Sequence, residues 1–164
     1  MQDTQGNAAE PLRALSASVA AFVQSIASLP ERLFLTRIVN WTPRDVVAHL
    51  IGWNRYTREG CEQIRARRVP SYLSDADNDF RRVNAASVER YAERDRQALI
   101  RDLEESFQEL ERALAGLDAA SWDADTGVRF RGRPVTIRNT IRALGRDYDR
   151  HRQRLEQWAA TQRQ

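Results

Sequence analysis

The chain contains no lysine: all 26 of its basic residues are arginine. Schiff-base chemistry and the phosphate-cradling lysine of a P-loop are therefore excluded. A single cysteine, Cys61, excludes an internal disulfide and any Cys-x-x-Cys metal or redox motif, and favours a reducing, cytoplasmic setting. By its spacing Cys61 is expected to be a small buried hydrophobe. No apolar run approaches the roughly 18 residues a membrane helix needs, so no membrane partner is expected. The start, MQDTQGNAAEP, has neither a basic segment nor an apolar core, so no signal peptide is expected, and residues 1–10 are expected to be flexible. There is no Gly-x-Ser-x-Gly and no Gly-x-Gly-x-x-Gly. Histidine is equally scarce: the 164 residues hold two, His49 and His151.

Charge is abundant but balanced. Against the arginines stand 23 acids, and the formal net charge is +3. The two signs alternate along helical stretches, as on a solvated surface. The run Arg65–Arg68 and the cluster Arg129, Arg131, Arg133 are too short to argue for nucleic acid. The stretch DADND, Asp75 to Asp79, imitates the first half of a calcium loop. It has Phe80 where the loop needs glycine and Ala86 where it needs an acid, so it reads as a loop and helix cap.

The length favours one domain over 1–164, large enough to bury a core without staples. Leu12, Leu15, Val19, Phe22, Val23 and Ile26 recur at spacings of three and four, which predicts a helix over 11–28, stopped by Leu29-Pro30. A short irregular or single-turn segment follows. Thr42 as N-cap, Pro43 in the first turn and Asp45 as a capping-box partner open a second helix that can run to Arg68. SYLSDADND reads as a loop. A third helical region starts at 78 or 79, with a break near Arg94, and carries the stripe Leu99, Leu103, Phe107, Leu110, Leu114 toward a terminator at Gly116. DADTGVRFRGRP is turn-rich with room for a short β-ribbon. The last helix starts at 135 or 136, with a heptad-like seam of Ile137, Ile141, Leu144, Tyr148, His151, Leu155 and Trp158. Four long amphipathic helices predict an all-α four-helix bundle.

Both histidines fall on inward stripes. His49 shares one with Val46, Trp53 and Tyr56; His151 lies in the last seam with Asp147 one turn before it. Side chains at i and i+4 face the same way, and bundles build metal sites from inward side chains on facing helices. An inward histidine also serves as a hydrogen-bonded core residue, and Asp147 can pair with Arg146, Arg150 or Arg154, so spacing alone leaves both readings open. Trp53, Tyr56 and Tyr148 are candidate pocket-lining residues or core aromatics, and Asn54 can back the site or face solvent. Gly52 and Gly145, inside helices, let elements approach or leave space over a metal. Trp122, Phe130 and Trp158 lie near element ends, where a four-helix core need not absorb them.

The segments WTPRDVVAHLIGW and RDYDRHRQRL resemble the DinB-like superfamily, with HLIGW also similar to the ClbS/DfsB branch. The resemblance covers nearly the whole chain. It implies an up-down-down-up DinB/YfiT-like bundle, a homodimer through helix faces, and a divalent metal held by one histidine on the second helix and a His-x-x-x-His pair on the last. Those positions map onto His49, Asp147 and His151. Asp147 departs from the commonest pattern; related mycothiol-dependent maleylpyruvate isomerases place a glutamate there, one methylene longer. Two imidazoles, one carboxylate and open positions for water suit Zn, Ni or Fe, and the resemblance adds a low-molecular-weight thiol. The implied function is a metal-dependent thiol transferase or hydrolase acting on a small electrophilic substrate. The alternative is a non-catalytic small-molecule binding or stress and toxin-resistance protein with a vestigial site.

Overall fold

The computed structural model describes residues 9–163. The flexibility expected of residues 1–8 lies outside the described residues, while Glu10 already opens the first helix and pairs with Arg142. That helix, α1, spans Glu10–Ala27 and buries Leu15, Val19, Phe22 and Ile26. A single turn, α2 (Glu31–Phe34), carries the chain around the bottom of the core.

Helix α3 (Pro43–Arg65) starts where its capping box predicts: Asp45 N–H donates to Thr42 Oγ1, and Thr42 N–H donates to the Asp45 carboxylate. It ends at Arg65 rather than Arg68. The reason is a Schellman closure, in which Arg67 takes φ of 60° while Arg67 N–H and Arg68 N–H reach back to the carbonyls of Ile64 and Gln63.

The segment expected as a loop is instead coiled into 3-10 turns over Ser71–Asn78. Its capping role holds: the buried Asp75 carboxylate accepts the backbone N–H of Arg82 and of Val83. These are first-turn donors of α4 (Arg81–Arg90), which would otherwise be orphaned. After a break, Asp95 caps α5 (Arg96–Leu114), and a short α6 (Ala119–Asp123) follows. A two-residue turn with positive φ at Arg131 and Gly132 joins β1 (Arg129–Phe130) to β2 (Arg133–Pro134). Helix α7 (Ile137–Thr161) is capped by Thr136.

The contacts between helices fix their directions. Glu10 meets Arg142 and Ser25 meets Glu156, so α1 and α7 run parallel. Asn54 meets Leu103 and Ser106 while Arg58 meets Glu109, so α3 and α5 also run parallel. His49 meets His151 and Asn54 meets Tyr148, so α3 opposes α7. The four long helices thus follow the up-down-down-up order around one apolar core.

The aromatic patch and the close approach at Gly145 need correction, while the close approach expected at Gly52 holds. Trp122 is only 2 % exposed, packed beneath α7, and Trp158 is half-buried against the core, so neither forms an exposed aromatic patch. At Gly145 an added Cβ would meet nothing within 4 Å, so no element approaches there. At Gly52 it would lie 1.9 Å from Ser87 Oγ, so this glycine is what lets α4 seat on α3. Among the described residues no helix is long and apolar enough to cross a membrane.

Candidate metal centre

The phases of α3 and α7 bring His49, Asp147 and His151 to one point, with ligand atoms all within 4.8 Å of one another. His49 Nε2 lies 3.0 Å from Asp147 Oδ2 and 3.2 Å from His151 Nε2; His151 Nε2 lies 3.5 Å from Asp147 Oδ1. Donors around a tetrahedral ion with bonds of about 2.1 Å stand roughly 3.4 Å apart. The three spacings, taken over both Asp147 oxygens, scatter around that value, so the group is of the size that a first-row divalent ion needs. The aspartate, though shorter than glutamate, lies within hydrogen-bond distance of the His49 imidazole across the α3–α7 contact.

Charge follows burial. Burial pushes His151 down to about 4, only partly offset by the Asp147 carboxylate, with His49, Arg150 and Arg154 adding to the depression. For Asp147, burial pushes upward, but the hydrogen bond and charge of His49, the charge of His151 and a hydrogen bond from Arg150 prevail and hold it at about 2. Near neutral pH the set is one carboxylate beside a neutral His151, the protonation that metal binding requires.

Around the candidate ligands, Trp41 lies tilted against His49, with ring centroids 4.9 Å apart, and stacks on His151 at 6.4 Å. Asn84, on α4, places Oδ1 at 3.1 Å from His49 Nδ1 and at 2.9 Å from Trp53 Nε1. A cavity of about 690 Å3 opens over the three candidate ligands. Trp53, Tyr72 and Phe80 meet edge to face in its wall, the β-ribbon adds Phe130, and Arg133 and Arg154 line it beside Arg150.

Of the pocket candidates, Trp53 lines this cavity. Tyr148 is fully buried on the core side of α7, where its hydroxyl donates to Asn54 Oδ1 at 2.8 Å. Asn54 in turn donates to Ser106 Oγ at 2.9 Å, so it is a core latch between α3, α5 and α7 with no contact to the ligands. Tyr56 lies under α4, its hydroxyl against the Val83 carbonyl, beside a separate small hollow. Cys61 is buried, and burial pushes its thiol up to about 12, so it is inert as a nucleophile. Trp41 and Asn84 escape the sequence reading. Trp41 directly precedes the Thr42 cap, which is a signal of position but not of direction; Asn84 carries no sequence signal at all.

The fold is shared with solved structures. An uncharacterised protein from Escherichia coli UTI89 superposes with a TM-score of 0.74 at 15% identity over 94% of each chain. A protein from Streptococcus pneumoniae superposes with a TM-score of 0.74 at 17% identity over 91% of this chain and 88% of its own. No curated protein matches. Residues 12–156 match the family described as Mycothiol maleylpyruvate isomerase N-terminal domain, a span that begins in α1, includes all three candidate ligands and ends in α7. With that match over most of its length, the chain belongs to the mycothiol maleylpyruvate isomerase N-terminal domain family, within the DinB-like superfamily.

Proposed function

We propose that this protein is a metal-dependent enzyme, a thiol transferase or hydrolase that acts on a small electrophilic molecule. The observation that carries the reading is the convergence of His49, Asp147 and His151 at donor-to-donor spacings suited to a Zn²⁺, Ni²⁺ or Fe²⁺ ion, at the floor of a cavity. An ion held by His49, Asp147 and His151 would lower the pKa of a bound water or thiol toward neutrality and so supply a nucleophile. The family's name adds a low-molecular-weight thiol as the co-substrate of the transferase form.

The chain's own residues divide the remaining work. Asp147 stays anionic across the working pH range and offsets the charge of the ion. The aromatic wall of Trp53, Tyr72 and Phe80 packs the apolar body of the substrate and displaces water. Arg133 and Arg154 present positive charge to the cavity.

The test is metal content after purification without added metal, followed by consumption of a chromogenic electrophile with and without thiol. Near-stoichiometric metal and metal-dependent turnover are expected. Thiol-dependent turnover assigns the transferase form, and turnover by water alone assigns the hydrolase form. A protein that takes up neither Zn²⁺, Ni²⁺ nor Fe²⁺ rejects the reading.

A further inference from the structure

The orientation of the Asn84 amide decides the state of His49. Indole N–H is a donor only, and Trp53 Nε1 lies 2.9 Å from Asn84 Oδ1, so the atom between Trp53 and His49 is the amide oxygen and not its nitrogen. That oxygen has no hydrogen to give. His49 Nδ1, at 3.1 Å, must therefore carry the proton and donate it. In neutral His49 the lone pair is then on Nε2, the atom facing Asp147 Oδ2 at 3.0 Å and His151 Nε2 at 3.2 Å. A lone pair aimed at a carboxylate is repelled, unless a proton or a metal cation sits between them.

The amide is held in place by structure already described. The Asp75 carboxylate caps the first turn of α4, and Gly52 lets Ser87 press against α3. Together they fix the helix that carries Asn84, while Trp53 prevents the amide from flipping.

We infer that Asn84 is a positioning residue: it locks the proton of His49 on Nδ1 so that Nε2 is presented as a metal ligand. The metal half of this inference rests on the proposed function; the proton half does not. Partners of this kind are typically worth 10–100-fold in metal affinity.

Because the chain has two histidines, a long-range ¹H–¹⁵N spectrum of the metal-free protein at pH 8 reads each ring, and His151→Gln assigns them. In the wild type His49 should be protonated at Nδ1. In Asn84→Leu the acceptor is gone, the proton should move to Nε2 against Asp147, and affinity for Co²⁺ should fall about 10–100-fold. Asn84→Asp, which can only accept, should keep Nδ1 protonated and retain Co²⁺ binding. An Asn84→Leu protein with native circular dichroism, Nδ1 still protonated and unchanged Co²⁺ affinity overturns the role. Should that variant not fold, Asn84→Asp decides: Nδ1 left unprotonated there overturns it. A wild type that binds no Co²⁺ or Zn²⁺, but whose His49 proton responds to Asn84→Leu, rejects the metal reading and leaves the positioning role standing.

Discussion

At Asp147 two demands meet in one side chain. The carboxylate faces both imidazoles and also accepts a hydrogen bond from Arg150 on the same helix. As a surface partner for arginine it would be worth about 0–1 kcal/mol; as a ligand it governs metal content. Asp147→Asn keeps shape and volume, so the fold should survive while metal occupancy drops at least tenfold. Equal occupancy in the two proteins would remove Asp147 from the ligand set. His151 sets the pH response of the metal-free protein. Its folded value is depressed to about 4 from 6.5, so between those pH values the unfolded chain binds a proton that the folded one refuses. Stability therefore rises with pH across 4–6.5 and is lost on acidification through that window, by about 3 kcal/mol at most. Asp147 acts lower: its depressed value contributes stability that is present above the ordinary carboxylate range and lost as pH falls toward 2. Urea midpoints of metal-free protein at pH 7, 5.5 and 4 should fall in order, and His151→Asn should flatten that slope. A wild-type midpoint constant over the window contradicts the burial argument.

Elements reach the site through how they end and how closely they pack. Helix α4 is short and has weak amphipathic character, yet it carries Asn84; its place depends on the contact of Gly52 with Ser87. In Gly52→Ala the new methyl would overlap Ser87 Oγ and also Ser87 Cβ, at 2.7 Å. The hydroxyl can rotate away but Cβ moves only with the backbone, so α4 should shift. The expected cost is about 1–3 kcal/mol, with metal affinity falling alongside. The double variant Gly52→Ala with Ser87→Gly should recover affinity even though a glycine in α4 itself costs about 1 kcal/mol. A strictly additive double-mutant cycle would mean that the two positions do not meet. At the far end of α3, Arg67 holds the left-handed conformation usually left to glycine. Arg67→Gly relieves that strain and should raise stability by about 0.5–1 kcal/mol, measured by urea unfolding, with no change at the metal centre.

Across the whole molecule, the candidate ligands come from two helices that only the folded bundle brings together. A metal that binds the folded chain and not the unfolded one stabilises the bundle by mass action, by about 2.7 kcal/mol when free metal is 100 times the dissociation constant. For a chain of this length that is a rise of roughly 5–11 °C in melting temperature. Scanning calorimetry with Zn²⁺ and then with a chelator should show that difference, and His49→Gln should abolish it. The homodimer implied by the superfamily resemblance stands as a proposal without the aromatic patch, since Trp122 is inside. Among the described residues, the large apolar side chains left exposed are Leu35, Val39 and Val69, and the first two share the loop that leads to Trp41. Light scattering should give twice the 18.9 kDa of one chain, and a single species at 18.9 kDa removes the dimer.

Much of this architecture is legible in one dimension. Helix periodicity, the Thr42–Asp45 box and the proline at 30 are local, so the chain declares them wherever it folds. The inward phase of His49 and the four-residue step from Asp147 to His151 are properties of single helices as well, which is why the convergence of these three side chains was in reach. The closing turns of α3 were not, because Arg67 gives no composition signal of the left-handed conformation it takes. Phase separates the inside of a helix from its outside, but it does not say which neighbour the inside meets. Tyr148 and His151 share one seam, three residues apart, yet Tyr148 points to Asn54 in the core while His151 points to the cavity. Asn84 and His49 lie 35 positions apart, and their contact exists because one missing Cβ, at Gly52, lets a weakly amphipathic helix settle close enough for a hydrogen bond. A hydrogen bond tolerates errors of a few tenths of an ångström, so the tertiary structure alone decided which polar side chain would hold the histidine.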